Sequence, residues 1–292
     1  MTSPGEGRVE AESRRGTSDV DPVLRQAASE NFPVATRLIP SRYRRQLTAI
    51  YGFCRLVDDL GDEYDGDRAA ALDWAEREIR AAFEGRATHP LFRALESTIE
   101  SCSLEMEPFL RLIEANRLDQ RKSSYETYGE LLAYCELSAN PVGRLVLCVF
   151  DASTTETVAR SDEVCTALQL IEHLQDVRED LSAGRIYLPA EDMRRFGISR
   201  EDLAASSATG AARRLIAFEA GRANDLLVRG GALLSHLHGA ARVAVSGFIG
   251  GGLAQLDAFR HASYDVLAKD VKASSLSVAR HAFDQFVGAG RS

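Results

Sequence analysis

Apolar residues recur about every 3.6 positions along nearly the whole chain after residue 20. This spacing places them on one face of an α-helix, whereas a half-buried strand would show alternation. The run at 144–150 is rich in Val and Leu, but no other segment offers a partner strand, so it is also predicted as helix. The sequence therefore predicts an all-α protein. Helices are predicted to begin at Pro22, Pro40-Ser41 and Pro108, and to span 68–83, 91–101, 125–150, 161–183, 192–196, 201–205, 211–229, 239–259 and 275–287.

Capping residues and prolines set the expected helix ends. Asp67 is predicted to cap the helix at 68–83, and Thr88 with Pro90 to begin the next one. Ser124 and Ser161 are predicted as caps of two later helices. The segment Ser138-Ala-Asn-Pro141 must bend or break the helix at 125–150, because proline lacks a donor and clashes with the preceding turn.

Two groups of acidic residues stand out within these helices. Asp58 and Asp62 are four residues apart, as are Glu172, Asp176 and Asp180, so each group is predicted to form a carboxylate stripe on one helical face. Like charges at this spacing destabilise a helix by roughly 0.2–0.5 kcal/mol per pair, which indicates a missing cation. Oxygen ligands without Cys or His suit Mg²⁺, which carboxylates commonly hold together with substrate phosphates.

Polar residues extend both stripes along otherwise apolar helices. Tyr51 and Arg55 precede the first group on the same face, and Gln169 precedes the second. This pattern favours a buried polar seam, and two facing stripes would form a cage for a metal-bound diphosphate. The alternative is a pair of solvated helices whose charged faces bind nothing.

Composition narrows the classes of function. The 292 residues are 45% hydrophobic and carry a net charge of −8, and the one basic cluster is 42–45, so nucleic acid is not an expected partner. The five cysteines lack metal-ligand spacing and are predicted to be reduced core residues of a cytosolic protein. Residues 1–19 are predicted to be a disordered tail, and 20–292 a single all-α domain. The longest apolar run, 243–256, is too short to span a bilayer.

A cluster of glycines at 247 and 250–252 lies in the predicted helix 239–259. A nucleotide-binding loop would require a preceding strand, which the sequence does not predict. Close helix packing, or room for a bulky ligand, is therefore the favoured interpretation. The stretch Arg185-Ile-Tyr-Leu-Pro189 is predicted to be extended and to lie over the end of the acidic seam.

Five segments of the chain form a recognisable set: Tyr51-Gly-Phe-Cys-Arg55-Leu-Val-Asp58-Asp59, Tyr134-Cys135, Pro141-Val-Gly143, Gln169 through Asp180, and Arg185-Ile-Tyr-Leu-Pro189. Together they resemble the squalene and phytoene synthases over roughly residues 25–260. The resemblance implies an all-α isoprenoid (terpenoid) synthase fold with helices around a central cavity, three Mg²⁺ ions and a prenyl diphosphate substrate.

Departures from the usual family pattern indicate a branch. Members that join two farnesyl diphosphates usually have His/Lys-Ser-Phe-Ser where this chain has Glu30-Asn-Phe-Pro-Val-Ala35, and Glu172 and Gln175 replace an Asn and an Arg. The first segment, with Ser138-Ala-Asn-Pro-Val-Gly143, is similar to the hydroxysqualene synthases of bacterial hopanoid biosynthesis. That branch implies Mg-dependent conversion of presqualene diphosphate to hydroxysqualene, with release of diphosphate and without NADPH. Glu172 would either tighten Mg²⁺ binding or pair with His173 or Arg178.

The resemblance also implies roles for individual residues. Arg55 would clamp the diphosphate, the rings of Tyr51 and Tyr134 would face a carbocation, and Asn140 would position the attacking water. Packing is the alternative for both tyrosines, and a turn residue is the alternative for Asn140. The implied metal ligands are Asp58, Asp62, Glu172, Asp176 and Asp180, and the implied substrate-binding residues are Tyr51, Arg55, Gln169, Arg185 and Tyr187.

Three other functions compete with this one. A squalene or phytoene synthase would condense two prenyl diphosphates head to head, and a relative without its acids would act as an assembly factor. A di-iron bundle needs Glu-x-x-His pairs, whereas Glu172 and His173 are adjacent. The expected location is the cytoplasm, with peripheral membrane contact for an apolar product and contact with other hopanoid-pathway enzymes as further expectations.

Overall fold

The computed structural model describes residues 39–288. The predicted tail at 1–19, the helix at Pro22 and the segment Glu30–Ala35 lie outside the described residues. Within them the chain is helical, and the sole β-pairing is an isolated parallel bridge between Ser124 and Ile186. The prediction of an all-α protein is confirmed, including helix rather than strand at 144–149.

The helices follow the predicted order closely. We number them α1 (Ser41–Asp62), α2 (Arg68–Phe83), α3 (Pro90–Ser101), α4 (Glu107–Asp119), α5 (Tyr128–Ser138), α6 (Asn140–Val149), α7 (Thr155–Gln175), α8 (Val177–Ser182), α9 (Ala190–Phe196), α10 (Arg200–Leu203), α11 (Gly210–Gly230), α12 (Gly239–His261) and α13 (Ser275–Gly288), with a 3₁₀ helix at Gly231–His236.

The Asp67 cap is confirmed, since its side chain accepts a hydrogen bond from the Ala70 amide. The predicted start of α3 at Pro90 is confirmed. Thr88 lies just before it, and its amide and hydroxyl both donate to the buried carboxylate of Glu78. The break before Pro141 is confirmed, because α5 ends at Ser138 and proline lies in the first turn of α6.

The predicted caps at Ser124 and Ser161 are wrong. Ser124 belongs to an extended segment, and the hydroxyl of Thr127 caps α5 instead. Thr154 caps α7 through a reciprocal pair of hydrogen bonds with Thr157. Ser161 is buried within α7, where its hydroxyl lies so close to Gly143 that a Cβ there would be 2.4 Å from its oxygen.

The second acidic stripe does not lie on one continuous helix, which corrects the prediction. Asp176 leaves the helical conformation (φ −101°, ψ 15°) between α7 and α8. The amide of Asp176 still donates to Glu172 (2.9 Å), and that of Asp180 to Asp176 (2.8 Å). These bonds keep the four-residue spacing, so Glu172, Asp176 and Asp180 follow one another across a kink.

The chain divides into two compact units, formed by residues 39–121 with 144–153 and by residues 122–143 with 154–288. The single domain at 20–292 therefore stays a prediction. In the first unit α1 packs against α2, α3 and α4. Its core is aromatic: the ring of Phe53 meets those of Phe92 and Phe109 edge to face, with centroids 5.9 and 5.0 Å apart.

In the second unit α7 packs mainly against α11, and α12 against α13. Two glycines let α12 approach its neighbours closely: a Cβ on Gly250 would lie 2.4 Å from the Ala282 amide nitrogen of α13, and one on Gly252 would meet Leu168 of α7 and Leu227 of α11. The interpretation of these glycines as packing positions is confirmed. No helix between residues 39 and 288 combines the length and apolar character needed to cross a membrane.

Candidate active site

The first acidic motif lies near the C-terminal end of α1. Asp58 accepts a hydrogen bond from the Asn116 side chain of α4 at 3.0 Å. Solvent reaches Asp58, but the protein atoms packed around it raise the pKa of its carboxyl to about 6, against the hydrogen bond from Asn116. Asp62, one turn further on, is exposed. The two carboxylates thus share a helical face, as predicted.

Arg55, the predicted diphosphate clamp, is engaged within its own helix. Its Nε lies 2.9 Å from an oxygen of Asp59, and a terminal nitrogen lies 3.3 Å from Glu63. The guanidinium remains about one-third exposed. Binding a diphosphate would therefore mean exchanging these partners, and the role of Arg55 stays a prediction, as does that of the half-buried Tyr51.

The second acidic motif is more deeply placed. The Asp180 side chain is 16% exposed, and its Oδ2 is buried and accepts no hydrogen bond from a protein group. Burial raises the pKa of this carboxyl to about 7, with the nearby guanidinium of Arg185 acting in the opposite direction. Burial also raises the pKa of Asp176, and the charge of Glu179 adds to this effect.

Glu172 is the exposed member of the second motif. The side-chain amide of Gln169 lies 3.5 Å from a Glu172 oxygen and 3.3 Å from the Nε2 of His173. Arg178, one of the expected partners of Glu172, donates to the backbone carbonyl of Leu267 instead. Gln169 therefore joins Glu172 to His173.

A cluster of aromatic rings adjoins Asp180. Tyr187 stacks on the His173 ring, with centroids 3.8 Å apart and planes 10° from parallel. Tyr134 lies 5.4 Å from both Tyr125 and Tyr187, and all three tyrosines are buried. Burial lowers the pKa of His173 to about 3, so this ring is neutral at physiological pH.

The extended segment that carries Arg185 and Tyr187 is confirmed. The Ile186 amide donates to Ser123 and the Ala190 amide to Tyr125, which ties this segment to the residues before α5. The sequence analysis missed Tyr125. Tyr125 could have been found from two short stretches, 123–126 and 185–189, whose apolar residues do not follow a helical period.

Asn140 is buried at the start of α6, where its side-chain oxygen accepts a hydrogen bond from the Thr166 hydroxyl at 3.0 Å. This contact supports the helix break. The positioning of a water by Asn140 stays a prediction. The two acidic stripes belong to different units, and that they face each other also stays a prediction.

Within each motif, the carboxylates are of the ligand type that a hard divalent cation takes when a diphosphate helps to coordinate it. Between residues 39 and 288 no three His, Cys, Asp or Glu side chains converge closely enough to hold a metal by themselves. Mg²⁺ commonly takes only one or two carboxylates and completes its shell with phosphate oxygens and water. The buried Asp180 Oδ2 has no protein donor, so a water or such an ion would satisfy it.

Three similar proteins place the chain among known enzymes. The hydroxysqualene synthase of Sinorhizobium fredii is 34% identical over 212 residues, covering 71% of each chain. The phytoene synthase of Thermus thermophilus is 34% identical over 249 residues, covering 85% of this chain and 84% of that protein. The crystal structure of squalene synthase HpnC from Alicyclobacillus acidocaldarius is 46% identical, with a TM-score of 0.78 over 87% of this chain and 96% of that one.

The last of these likenesses confirms the predicted isoprenoid synthase fold. The family model of squalene/phytoene synthases matches residues 25–277, which include both acidic motifs and the segment 185–189. The resemblance drawn from the motifs is thereby confirmed, and the chain belongs to the squalene/phytoene synthase family.

Proposed function

We propose that the protein converts presqualene diphosphate to hydroxysqualene, with release of diphosphate. The observation that carries the proposal is the second motif, in which Asp180, with its buried Oδ2, and Arg185 line one cavity and interact electrostatically. In this arrangement Asp180 would hold a metal ion that binds the diphosphate, and Arg185 would contact the diphosphate oxygens directly. The likeness to the hydroxysqualene synthase of Sinorhizobium fredii supports the choice of substrate.

The proposed reaction balances without a redox partner. The bond between carbon and diphosphate breaks, the cyclopropane ring opens, and a water oxygen bonds to the rearranged cation and loses one proton. Presqualene diphosphate and water thus give hydroxysqualene, diphosphate and a proton. No hydride is transferred, so we propose that NADPH is not required.

The proposed metal ligands are Asp58, Asp62, Glu172, Asp176 and Asp180. Mg²⁺, which we propose as three ions by resemblance to the family, supplies Lewis-acid stabilisation of the leaving diphosphate when bound. The residues themselves must be ionised to hold it. The raised pKa of Asp180, about 7, makes it the ligand most sensitive to protons.

The remaining residues bind the substrate and exclude water. We propose that Arg55 and Arg185 contact diphosphate oxygens and that Gln169 holds Glu172 in place. Tyr51 and Tyr134 would present ring faces to the cation, worth about 0.5–2 kcal/mol each. The buried stack of Tyr187 on His173 limits access of bulk water next to Asp180, and Asn140 is the proposed water-positioning residue.

Head-to-head condensation of two prenyl diphosphates is the second candidate. The likeness to the Thermus thermophilus phytoene synthase, at 34% identity over more of the chain, specifically favours it. A condensing enzyme would use the same acids but would need donors for a second diphosphate. The segment Glu30–Ala35 lacks the Ser of condensing relatives, which favours the single-diphosphate substrate.

Product analysis separates the two candidates. Purified enzyme is incubated with presqualene diphosphate, farnesyl diphosphate or geranylgeranyl diphosphate, each with Mg²⁺ or with EDTA, and extracts are examined by mass spectrometry. We expect hydroxysqualene only in the sample that contains presqualene diphosphate and Mg²⁺. Efficient C30 formation from farnesyl diphosphate would instead establish a condensing synthase, and full turnover in EDTA would remove the metal from the account.

The proposed setting is the cytoplasm, without a nucleic-acid partner. Because hydroxysqualene is apolar, we propose peripheral membrane contact and transfer to other hopanoid-pathway enzymes. Flotation with phospholipid vesicles, with and without product, tests the first of these.

A further inference from the structure

His173 lies between two carboxylates that the proposed function assigns to metal. Its Nδ1 is 3.9 Å from the buried Oδ2 of Asp180, too far for a direct hydrogen bond. His173, Asp180 and Arg185 supply the polar lining of a cavity of about 10 Å³, which is room for one water. Its other lining residues are apolar: Val177, Ile186, Leu188 and Leu203, with the Tyr187 ring at one side.

The neighbour of the other ring nitrogen fixes the tautomer of His173. The Gln169 amide nitrogen lies within 3.5 Å of both a Glu172 oxygen and the Nε2 of His173. A carboxylate oxygen only accepts, so the amide group of Gln169 faces Glu172 with its N–H donors. The same NH₂ group then donates to Nε2, and the ring proton of a neutral His173 belongs on Nδ1, which faces Asp180.

The ring cannot turn away from this orientation easily. Tyr187 stacks on it nearly parallel at 3.8 Å, and Tyr134 lies 6.0 Å away on the same aromatic cluster. The His173 side chain is 10% exposed. Nδ1–H therefore faces Asp180 at 3.9 Å, which is beyond a direct hydrogen bond, and both residues line a cavity with room for one water.

We propose that one buried water in this cavity accepts a hydrogen bond from His173 Nδ1–H and donates one to Asp180 Oδ2. Glu172, Gln169, His173, the water and Asp180 then form one hydrogen-bonded chain within the second motif. His173 is a positioning residue in this chain. With Oδ2 held by the water, Oδ1 of Asp180 would remain available to a metal ion. This meaning for catalysis rests on the proposed function.

The tautomer can be measured on the unmodified protein. Long-range ¹H–¹⁵N NMR of the histidine rings, without metal or substrate, should show a protonated Nδ1 and an unprotonated Nε2 for His173, assigned by its loss in His173→Phe. A crystal structure at high resolution should show an ordered water within hydrogen-bond distance of His173 Nδ1 and Asp180. A proton on Nε2, or a cavity without the water, overturns the proposal.

Variants test the positioning role separately. His173→Phe keeps a ring against Tyr187 but removes both nitrogens, while His173→Asn keeps a donor near the place of Nδ1. We expect His173→Phe to weaken Mg²⁺ binding in the presence of inorganic diphosphate by about 10–100-fold in calorimetry, and His173→Asn to recover most of it. His236→Phe, at a half-exposed histidine paired with Glu156, should bind as the parent does.

Equal Mg²⁺ affinity for His173→Phe and the parent would overturn the positioning role. So would a His173→Asn variant that binds no better than His173→Phe. Neither readout requires turnover of a prenyl diphosphate. Failure of the proposed function would appear as absence of hydroxysqualene from the parent enzyme, with the tautomer and the affinities unaffected.

Discussion

The two acidic motifs resemble each other in spacing but differ in how the protein surrounds their carboxylates. In the first, on the continuous helix α1, Arg55 pairs with Asp59 and Asn116 donates to Asp58. In the second, the helix breaks at Asp176 and the buried oxygen of Asp180 receives no hydrogen bond from the protein. The same four-residue spacing thus yields one motif in which Asp58 has a hydrogen-bond donor on a neighbouring helix and one in which Asp180 Oδ2 has none.

The largest effect should come from removing single carboxylates. We expect Asp58→Asn, Asp176→Asn and Asp180→Asn each to lower turnover of presqualene diphosphate at least about 100-fold, because each removes charge from the leaving-group site. Without metal the melting temperatures should be unchanged or slightly higher, most clearly for Asp180→Asn. Steady-state kinetics and calorimetry check both. A fall of many degrees in the metal-free variants would make these carboxylates structural partners.

Glu219 is a buried acid that, unlike Asp180 Oδ2, has a protein partner, so it shows the effect of burial alone. This carboxylate of α11 is buried but shares Arg222 with Asp192, at 3.1 and 2.6 Å, beneath the ring of Tyr128. Burial raises its pKa from 4.5 to about 7, so the folded protein binds a proton between these values that the unfolded chain has released. Proton binding by Glu219 therefore stabilises the folded protein. This contribution to the free energy of unfolding is complete below about pH 4.5 and is lost as the pH rises through about 7.

Melting temperatures from pH 5 to 8 test this assignment. We expect Glu219→Gln to flatten the decline of the parent protein across this range and to leave Mg²⁺ binding unchanged. If the variant had the same pH profile as the parent, Glu219 would be ionised from pH 5 to 8, with its charge compensated by Arg222.

Gly61 lets Asn116 reach the first motif. A Cβ on this residue would lie 2.1 Å from the side-chain oxygen of Asn116, so Gly61→Ala should displace that amide and destabilise the protein by about 1–3 kcal/mol. Gly251→Ala, on α12 with nothing within 4 Å of an added Cβ, is the matched control. It should be neutral or stabilising by up to ~1 kcal/mol. Denaturant unfolding that ranks the two variants equally would contradict the close approach.

The smallest effect on stability should come from Arg55. Its ion pairs with Asp59 and Glu63 are partly exposed, so Arg55→Gln should change unfolding free energy by less than about 1 kcal/mol. The same variant should reduce turnover much more, because the guanidinium is proposed to move to the diphosphate. If turnover and the free energy of unfolding both fell only slightly, Arg55 would be a surface ion-pair residue without a role in binding diphosphate.

The helices and the acid spacing could be predicted because both depend on local periodicity. The cap of α5 could not, because Ser124 and Thr127 are equally good capping residues and the choice depends on pairing of 123–126 with the distant segment after Asp180. The kink at Asp176 carries no Gly or Pro signal. Nor does local sequence indicate the stack of Tyr187 on His173, since fourteen positions and a turn separate them.

The central claim is that the carboxylates of the second motif bind a metal ion. Calorimetric titration of Mg²⁺ in the presence of inorganic diphosphate, into the parent protein and Asp180→Asn at pH 8, tests it most directly. We expect measurable binding to the parent and affinity at least about tenfold weaker for the variant. Equal affinities, or no Mg²⁺ binding by the parent, would contradict the claim.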